Sequence, residues 1–389
     1  MAHAVNTGLR RFLKAAAGFA FAGVLAACGT GSLIGGGSGT GNGPVQVALI
    51  VPTGASDPNV AQLAQNLTNA ARLAVADLQG VAIDLRVYDD AGDPGRAAQL
   101  AVSAVNDGAD VIVGPLFAES ANAAGVAVAK SGVAVLSFSN NPTIAGGNVF
   151  VMGPTFDNTA RRLVGYAKSR GIDSIMVVAG NSAAESLGRD AILAAAGQAG
   201  MRVAGTQGFE MSQQGVVQAV PGIVAAAKGT GAQALFLTSN TDSALPILSQ
   251  LLPENGLPPS EIQYIGLTRW DVPASALSLP GLQGGWFALP DTAAQSAFNS
   301  RYAAAYGVAP HSIAGLGYDG IAAIGALVKG GQSLSPKSFT QARGFAGASG
   351  AFRFLPNGNN ERALSIATIE NRAVKILEPA PTSFGVAGF

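Results

Sequence analysis

Few side chains in this sequence are of a kind that does covalent or proton-transfer chemistry. Cys28 is the only cysteine among 389 residues, and His3 and His311 are the only histidines. A single cysteine excludes an intramolecular disulfide. Nucleophilic triads need a base beside the nucleophile, and His311 stands in Pro310-His311-Ser312, at a helix start, where capping or exposure is its ordinary role. The motifs G-x-S-x-G, S-x-x-K and H-E-x-x-H do not occur. The acidic pair Asp89-Asp90 has the chemistry for a metal or for acid–base work, and it closes a strand just before Gly92-Asp93-Pro94. Trp270 and Trp286 read as packing residues. No metal or cofactor is expected, and the chemistry left to this chain is non-covalent binding rather than catalysis.

Bulk composition agrees. Charged residues make up 12% of the chain, with Lys+Arg and Asp+Glu balanced at 23 each, while hydrophobic residues make up 48%. A protein that grips nucleic acid needs a clustered basic surface, so no nucleic-acid partner is expected. The chain is too long for one ordinary core, and two domains are expected.

The N-terminus sets the compartment. Arg10, Arg11 and Lys14 precede an apolar run, Ala15 to Ala27, which is too short to span a bilayer at roughly 20 residues. It ends Leu25-Ala26-Ala27-Cys28, which resembles the bacterial lipobox, where a diacylglyceryl group is attached to the cysteine before cleavage. Residues 1–27 are therefore expected to be a lipoprotein signal peptide. Residues 28–44, carrying six glycines between Gly35 and Gly43, are expected to be the lipidated cysteine and its tether. The implied location is the periplasm of a Gram-negative bacterium, with a lipid anchor in the outer or inner membrane.

Beyond the tether, short β-branched runs alternate with alanine-rich helical stretches. Val45 to Val51 is a continuous apolar run, as expected for a parallel strand buried on both faces. Further strands are expected at Asp84–Tyr88, Asp110–Val113, Ala134–Ser137 and Val149–Met152, then at Ser174–Val178, Met201–Thr206, Ala234–Leu237 and Gln263–Gly266. Helical patterns fill the gaps, and Asp93-Pro94 has the form of an N-cap followed by proline at the first helical position. Such alternation predicts right-handed βαβ crossovers and two doubly wound parallel units in tandem. The turn Pro356-Asn357-Gly358-Asn359 predicts a hairpin of Ala351–Leu355 with Ala363–Ile369.

Tyr88-Asp89-Asp90-Ala91-Gly92-Asp93-Pro94, with Gly108-Ala109-Asp110-Val111-Ile112-Val113-Gly114-Pro115 and Val135-Leu136-Ser137-Phe138-Ser139-Asn140, resembles the type I periplasmic binding proteins of the leucine/isoleucine/valine class. The likeness runs through residues 45–377. It implies an α/β fold of two doubly wound parallel-sheet lobes joined by three interlobe crossovers. Lobe one would take 45–154 plus 270–345, lobe two 155–269 plus 346–377, and 378–389 would be a tail. Leu267-Thr268-Arg269-Trp270, Gly284-Gly285-Trp286-Phe287-Ala288 and Tyr318-Asp319 also look like the penicillin-binding protein activator lipoproteins.

Ligands of open α/β sheets bind off the carboxyl ends of the strands. With the family likeness this places Thr53, Phe117, Ser120, Ser139 and Asn140 on the first lobe's side of a ligand cleft, and Glu185, Ser186, Asn240 and Thr268 on the second lobe's side. The family's amino-acid binders use a serine after the third strand, a second-lobe aromatic and an acid for the ammonium group. Here the matching positions hold Ala118, then Ser186 and Asn240, then Thr268, leaving Glu185 as the substitute acid. The resemblance implies two alternatives. In one, an amino-acid-like solute is captured for a membrane permease of the ABC type. In the other, a peptidoglycan synthase is activated through protein contacts.

Overall fold

The computed structural model describes residues 43–385. The expected signal segment, Cys28 and nearly all of the tether lie outside the described residues. Five parallel strands form the first sheet: β1 (Val45–Val51), β2 (Ile83–Asp89), β3 (Val111–Val113), β4 (Ala134–Ser137) and β5 (Val149–Val151), in the order β2-β1-β3-β4-β5. Helices α1 (Pro58–Asp77), α2 (Pro94–Asn106) and α3 (Ala118–Ala127) make the crossovers. Asp57 and Asp93 start α1 and α2 by accepting hydrogen bonds from the Asn59 and Arg96 amides, each followed by proline in the first turn.

The alternation of strand side chains explains the layering. Val47, Leu49 and Val51 of β1 point into one core, and Ala48 and Ile50 into another on the opposite face. A strand apolar on both faces has no side left for water, so helices must cover both.

The second sheet contains β6 (Ser174–Gly180), β7 (Arg202–Phe209), β8 (Ala234–Leu237), β9 (Gln263–Gly266) and β10 (Trp286–Pro290), all parallel. Its helices are α4 (Phe156–Ser169), α5 (Ala183–Gln198), α6 (Gln213–Thr230) and α7 (Leu245–Glu254). After β10 the chain runs through α8 (Thr292–Tyr306) and α9 (Gly315–Lys329), which pack on α1 of the first lobe. A small antiparallel sheet follows, β11 (Phe345–Gly347), β12 (Gly350–Phe354) and β13 (Asn360–Arg362). Finally β14 (Leu364–Glu370) adds antiparallel to β10 and β15 (Ala373–Glu378) antiparallel to β14, completing the order β15-β14-β10-β9-β8-β6-β7.

Three expectations need correcting. Residues 270–290 belong with the second lobe: Trp270, Leu282, Phe287 and Leu289 lie in the core built on β6, β8 and α7. Trp270 is fully buried and stacks on Phe287, and a side chain at Gly266 or Gly285 would collide with its indole. Conversely, Phe345, Phe352 and Phe354 lie in the first lobe's core, where Phe354 packs on Phe150. Core and sheet membership therefore place the second and third crossings near residues 290 and 363. The hairpin differs too, since β12 pairs with β13, while Leu364–Glu370 has left for the larger sheet.

All three crossings share one edge. The first leaves the carboxyl end of β5 and enters the N-terminus of α4; the second leaves the carboxyl end of β10 at Pro290; the third passes Ala363 beside it, where Leu364 pairs with Pro290. The carboxyl edges of the two large sheets therefore meet at the hinge. This hinge is wired by polar groups. Asn360 Nδ2 donates to the Val151 and Gly153 carbonyls at 2.9 and 2.8 Å, and Asn158 exchanges hydrogen bonds with the Arg362 backbone. The Arg362 guanidinium donates to the Met152 carbonyl and to Asp319 of α9 at 2.8 Å.

Candidate functional site

The residues expected to line a ligand cleft stand at these carboxyl edges. On the first lobe, β1 ends in Pro52-Thr53-Gly54, and the Gly54 amide donates to Asp89 Oδ1 at 2.8 Å. Asp89 also accepts from the Ala91 amide and from Arg96. Burial pushes its carboxyl up, but the Gly54 and Ala91 amides and the Arg96 charge outweigh that and hold it below the usual carboxylate range. Asp90 has the opposite fate. It is fully buried, accepts one bond from the Gly92 amide, and leaves Oδ2 without a partner. Burial, with the neighbouring Asp89 charge, pushes its carboxyl up despite the Gly92 bond.

The two acids thus anchor the strand-end loop, and Asp90 has a pH signature. Its folded form holds the proton more tightly than the unfolded chain does. Stability contributed at this position is therefore lost as pH rises from the usual carboxylate value through the raised folded value. Asp90→Asn should gain stability relative to the native protein across that window and show no such gain below it. Urea midpoints of both proteins across the acid range check this, and a difference independent of pH would contradict it.

Phe117 and Ser120 open α3. Phe117 is half-exposed, and its ring lies against Gly92, where a side chain would touch it. Phe117 is also the N-cap residue of α3 and supplies no side-chain hydrogen bond, whereas α1, α2, α4, α5 and α6 are each capped by Asp, Thr or Ser. Ser120, in that open first turn, is wholly buried with Oγ unpartnered. Ser139 is buried and its Oγ accepts from the Asn141 amide, while Asn140 is exposed.

On the second lobe the expected residues divide in role. Glu185 is 7% exposed and ties strand ends together. It accepts from the Gly180 amide at 2.6 Å, from Thr238 Oγ1 at 2.8 Å and from Ser239 Oγ at 3.0 Å. Asn240 closes an Asx turn by accepting from the Asp242 amide, and Thr268 Oγ1 donates to the Ser239 carbonyl. Ser186 is half-buried on the first turn of α5. Outside the expected set, Leu187, Met211 and Val272 are exposed apolar residues in the segments that follow β6, β7 and β9. Their signal was weak, because apolar residues in strand-to-helix loops look like core.

A model of the periplasmic binding protein family matches residues 44–373. The chain belongs to the periplasmic binding protein family. Solved structures share its fold. A protein named for branched-chain amino acid ABC transport from Rhodospirillum rubrum superposes with a TM-score of 0.71 at 19% identity, covering 86% of this chain and 100% of that one. An ABC transporter substrate-binding protein from Desulfitobacterium hafniense in complex with Leu gives 0.59 at 16% identity, covering 86% and 100%. A solute-binding protein from Rhodopseudomonas palustris BisB5 in complex with 3,4-dihydroxybenzoic acid gives 0.55 at 19%, covering 88% and 98%. A search of curated proteins finds no match.

None of these matches supports the likeness to penicillin-binding protein activators. The segments that carried it, around Trp270 and Trp286, pack inside the second lobe of this binding protein: Trp270 lies in the core, and Trp286 packs edge-on against Tyr166.

Proposed function

We propose that this chain is the solute receptor of an ABC-type uptake system, lipid-anchored in the periplasm, which closes its lobes on a small solute and presents it to a membrane permease. The observation that carries the reading is the first turn of α3. Its amides lack a side-chain cap, they stand at the carboxyl edge of the first sheet, and the Ser120 hydroxyl within the turn has no partner. Open helix N-termini favour anionic oxygens through their free N–H groups and the helix dipole. A solute carboxylate fits there, and the bound ligands named for two structural neighbours, Leu and 3,4-dihydroxybenzoic acid, both carry one.

Any solute that binds only the folded state raises its melting temperature, by about 2.7 kcal/mol of stabilisation at a hundredfold excess over Kd. Full-length protein in detergent should show such a shift with at least one small carboxylate in a library of amino acids, organic acids, amides and sugars. A flat response across the library would reject the receptor reading.

A further inference from the structure

We infer that the protein carries a second ligand site on the flank of the hinge, for a small organic anion with an apolar body. A cavity of about 440 Å³ lies there, walled by α4, the end of α5, the third crossing and the segment after β15. It contains none of the nine residues expected to line the cleft. The segment after β15, expected as a tail, packs back to form one wall. The Ala380 amide donates to Ser365 Oγ at 3.0 Å, and the Phe384 amide donates to the Arg343 carbonyl at 3.3 Å. Phe384 is thereby buried, with the Arg353 guanidinium 4.7 Å from its ring centre.

Charge decides what the cavity can hold. Five of its lining residues are charged, and four of them have partners: Arg162 pairs with Glu378 at 2.7 Å, Glu361 with Arg353, and Arg362 with Asp319. Arg161 is the exception. It is half-buried in the cavity wall and makes no ion pair or hydrogen bond with any described residue. Asp157, one turn earlier on α4, does not pair with it and lines an adjoining pocket of about 210 Å³, which Arg161 also borders.

A guanidinium drawn partly out of water keeps five N–H donors in a fixed fork, which the oxygens of an anion meet two at a time. Beside it, Tyr166, Leu364, Pro381 and Phe384 give the wall an apolar stretch. A ligand body covering that stretch leaves water and gains hydrophobic free energy. Small-molecule sites have this form, a mainly apolar cavity with few polar groups that fix orientation.

The probe is naphthalene-2-sulfonate, titrated calorimetrically into the full-length protein in detergent against a detergent blank, beside its neutral sulfonamide. One saturable site is expected for the sulfonate, with the sulfonamide weaker by about tenfold or more, because hydrogen bonds between ionised partners are the stronger ones. Arg161→Gln should weaken the sulfonate by about the same factor. Gly165 supplies an independent variant. It lies one turn after Arg161 on the same face of α4, lines the cavity, and has open space where a side chain would begin. Gly165→Leu should keep the fold, since leucine favours a helix over glycine, and should abolish binding by filling the cavity. Melting curves of both variants check that they fold. Sulfonate binding that either variant leaves unchanged, a sulfonamide that binds as tightly as the sulfonate, or no saturable binding by the native protein overturns the inference. None of these outcomes touches the receptor reading, which rests on the first turn of α3.

Discussion

Arg362→Ala is expected to cost the protein about 3–5 kcal/mol of stability, the typical penalty for removing one partner of a buried ion pair. Arg362 and Asp319 are 8% and 1% exposed, and their contact at 2.8 Å joins the third crossing to α9. The same guanidinium donates to the Met152 carbonyl on the first crossing, through Nε at 3.0 Å and a terminal nitrogen at 2.8 Å. Its loss would strand the Asp319 carboxylate, which would keep only the Ala348 amide on Oδ1, and would leave the Met152 carbonyl without its two side-chain donors. Arg362→Lys should recover part of the loss, because one ammonium keeps the charge but cannot reproduce a planar fork that serves two acceptors. Urea unfolding followed by circular dichroism measures both. A loss below about 1 kcal/mol for Arg362→Ala would mean that the hinge network is no stronger than a surface pair.

Cys28→Ser should move the protein from the membrane fraction to the soluble periplasmic fraction almost completely. Each buried methylene of an acyl chain contributes about 0.8 kcal/mol, so that one chain holds a protein only marginally and two hold it stably. Serine has no thiol to carry the diacylglyceryl group, and no second cysteine is present to replace it. No described helix is long and apolar enough to cross a membrane, so the described body offers no helical span to substitute for the anchor. Radiolabelled palmitate, with fractionation of cells expressing each form, reads the outcome. Label persisting in the serine variant would refute the lipobox reading.

Much of the fold was legible because the signals are local. Ala134–Ser137 and Gln263–Gly266 are strands with the expected bounds, and Asp93-Pro94 caps α2 as its residue types require. Helix limits moved by a few residues, as with α3, which begins at Ala118 rather than Ser120. The positions at the strand carboxyl ends were legible, since these ends are found by locating strands. The hydrogen bonding of the residues there was not. Nothing near Glu185 in the sequence announces that Thr238 and Ser239, more than fifty residues away, will occupy its oxygens. The buried, unpartnered state of Ser120 Oγ likewise depends on what packs over α3.

The sequence by itself determined the alternation of strand and helix and the two-lobed α/β class. Those follow from apolar periodicity and caps, which are properties of neighbouring residues. Only the tertiary structure decided which lobe each late segment joins. Trp286–Pro290 and Phe345–Gly347 are both short and apolar, yet one adds to the second sheet and the other to the first lobe's core. A strand carries its own pairing groups but no address for its partner. Register and burial across the hinge, set by residues such as Trp270 and Arg362, supply that address.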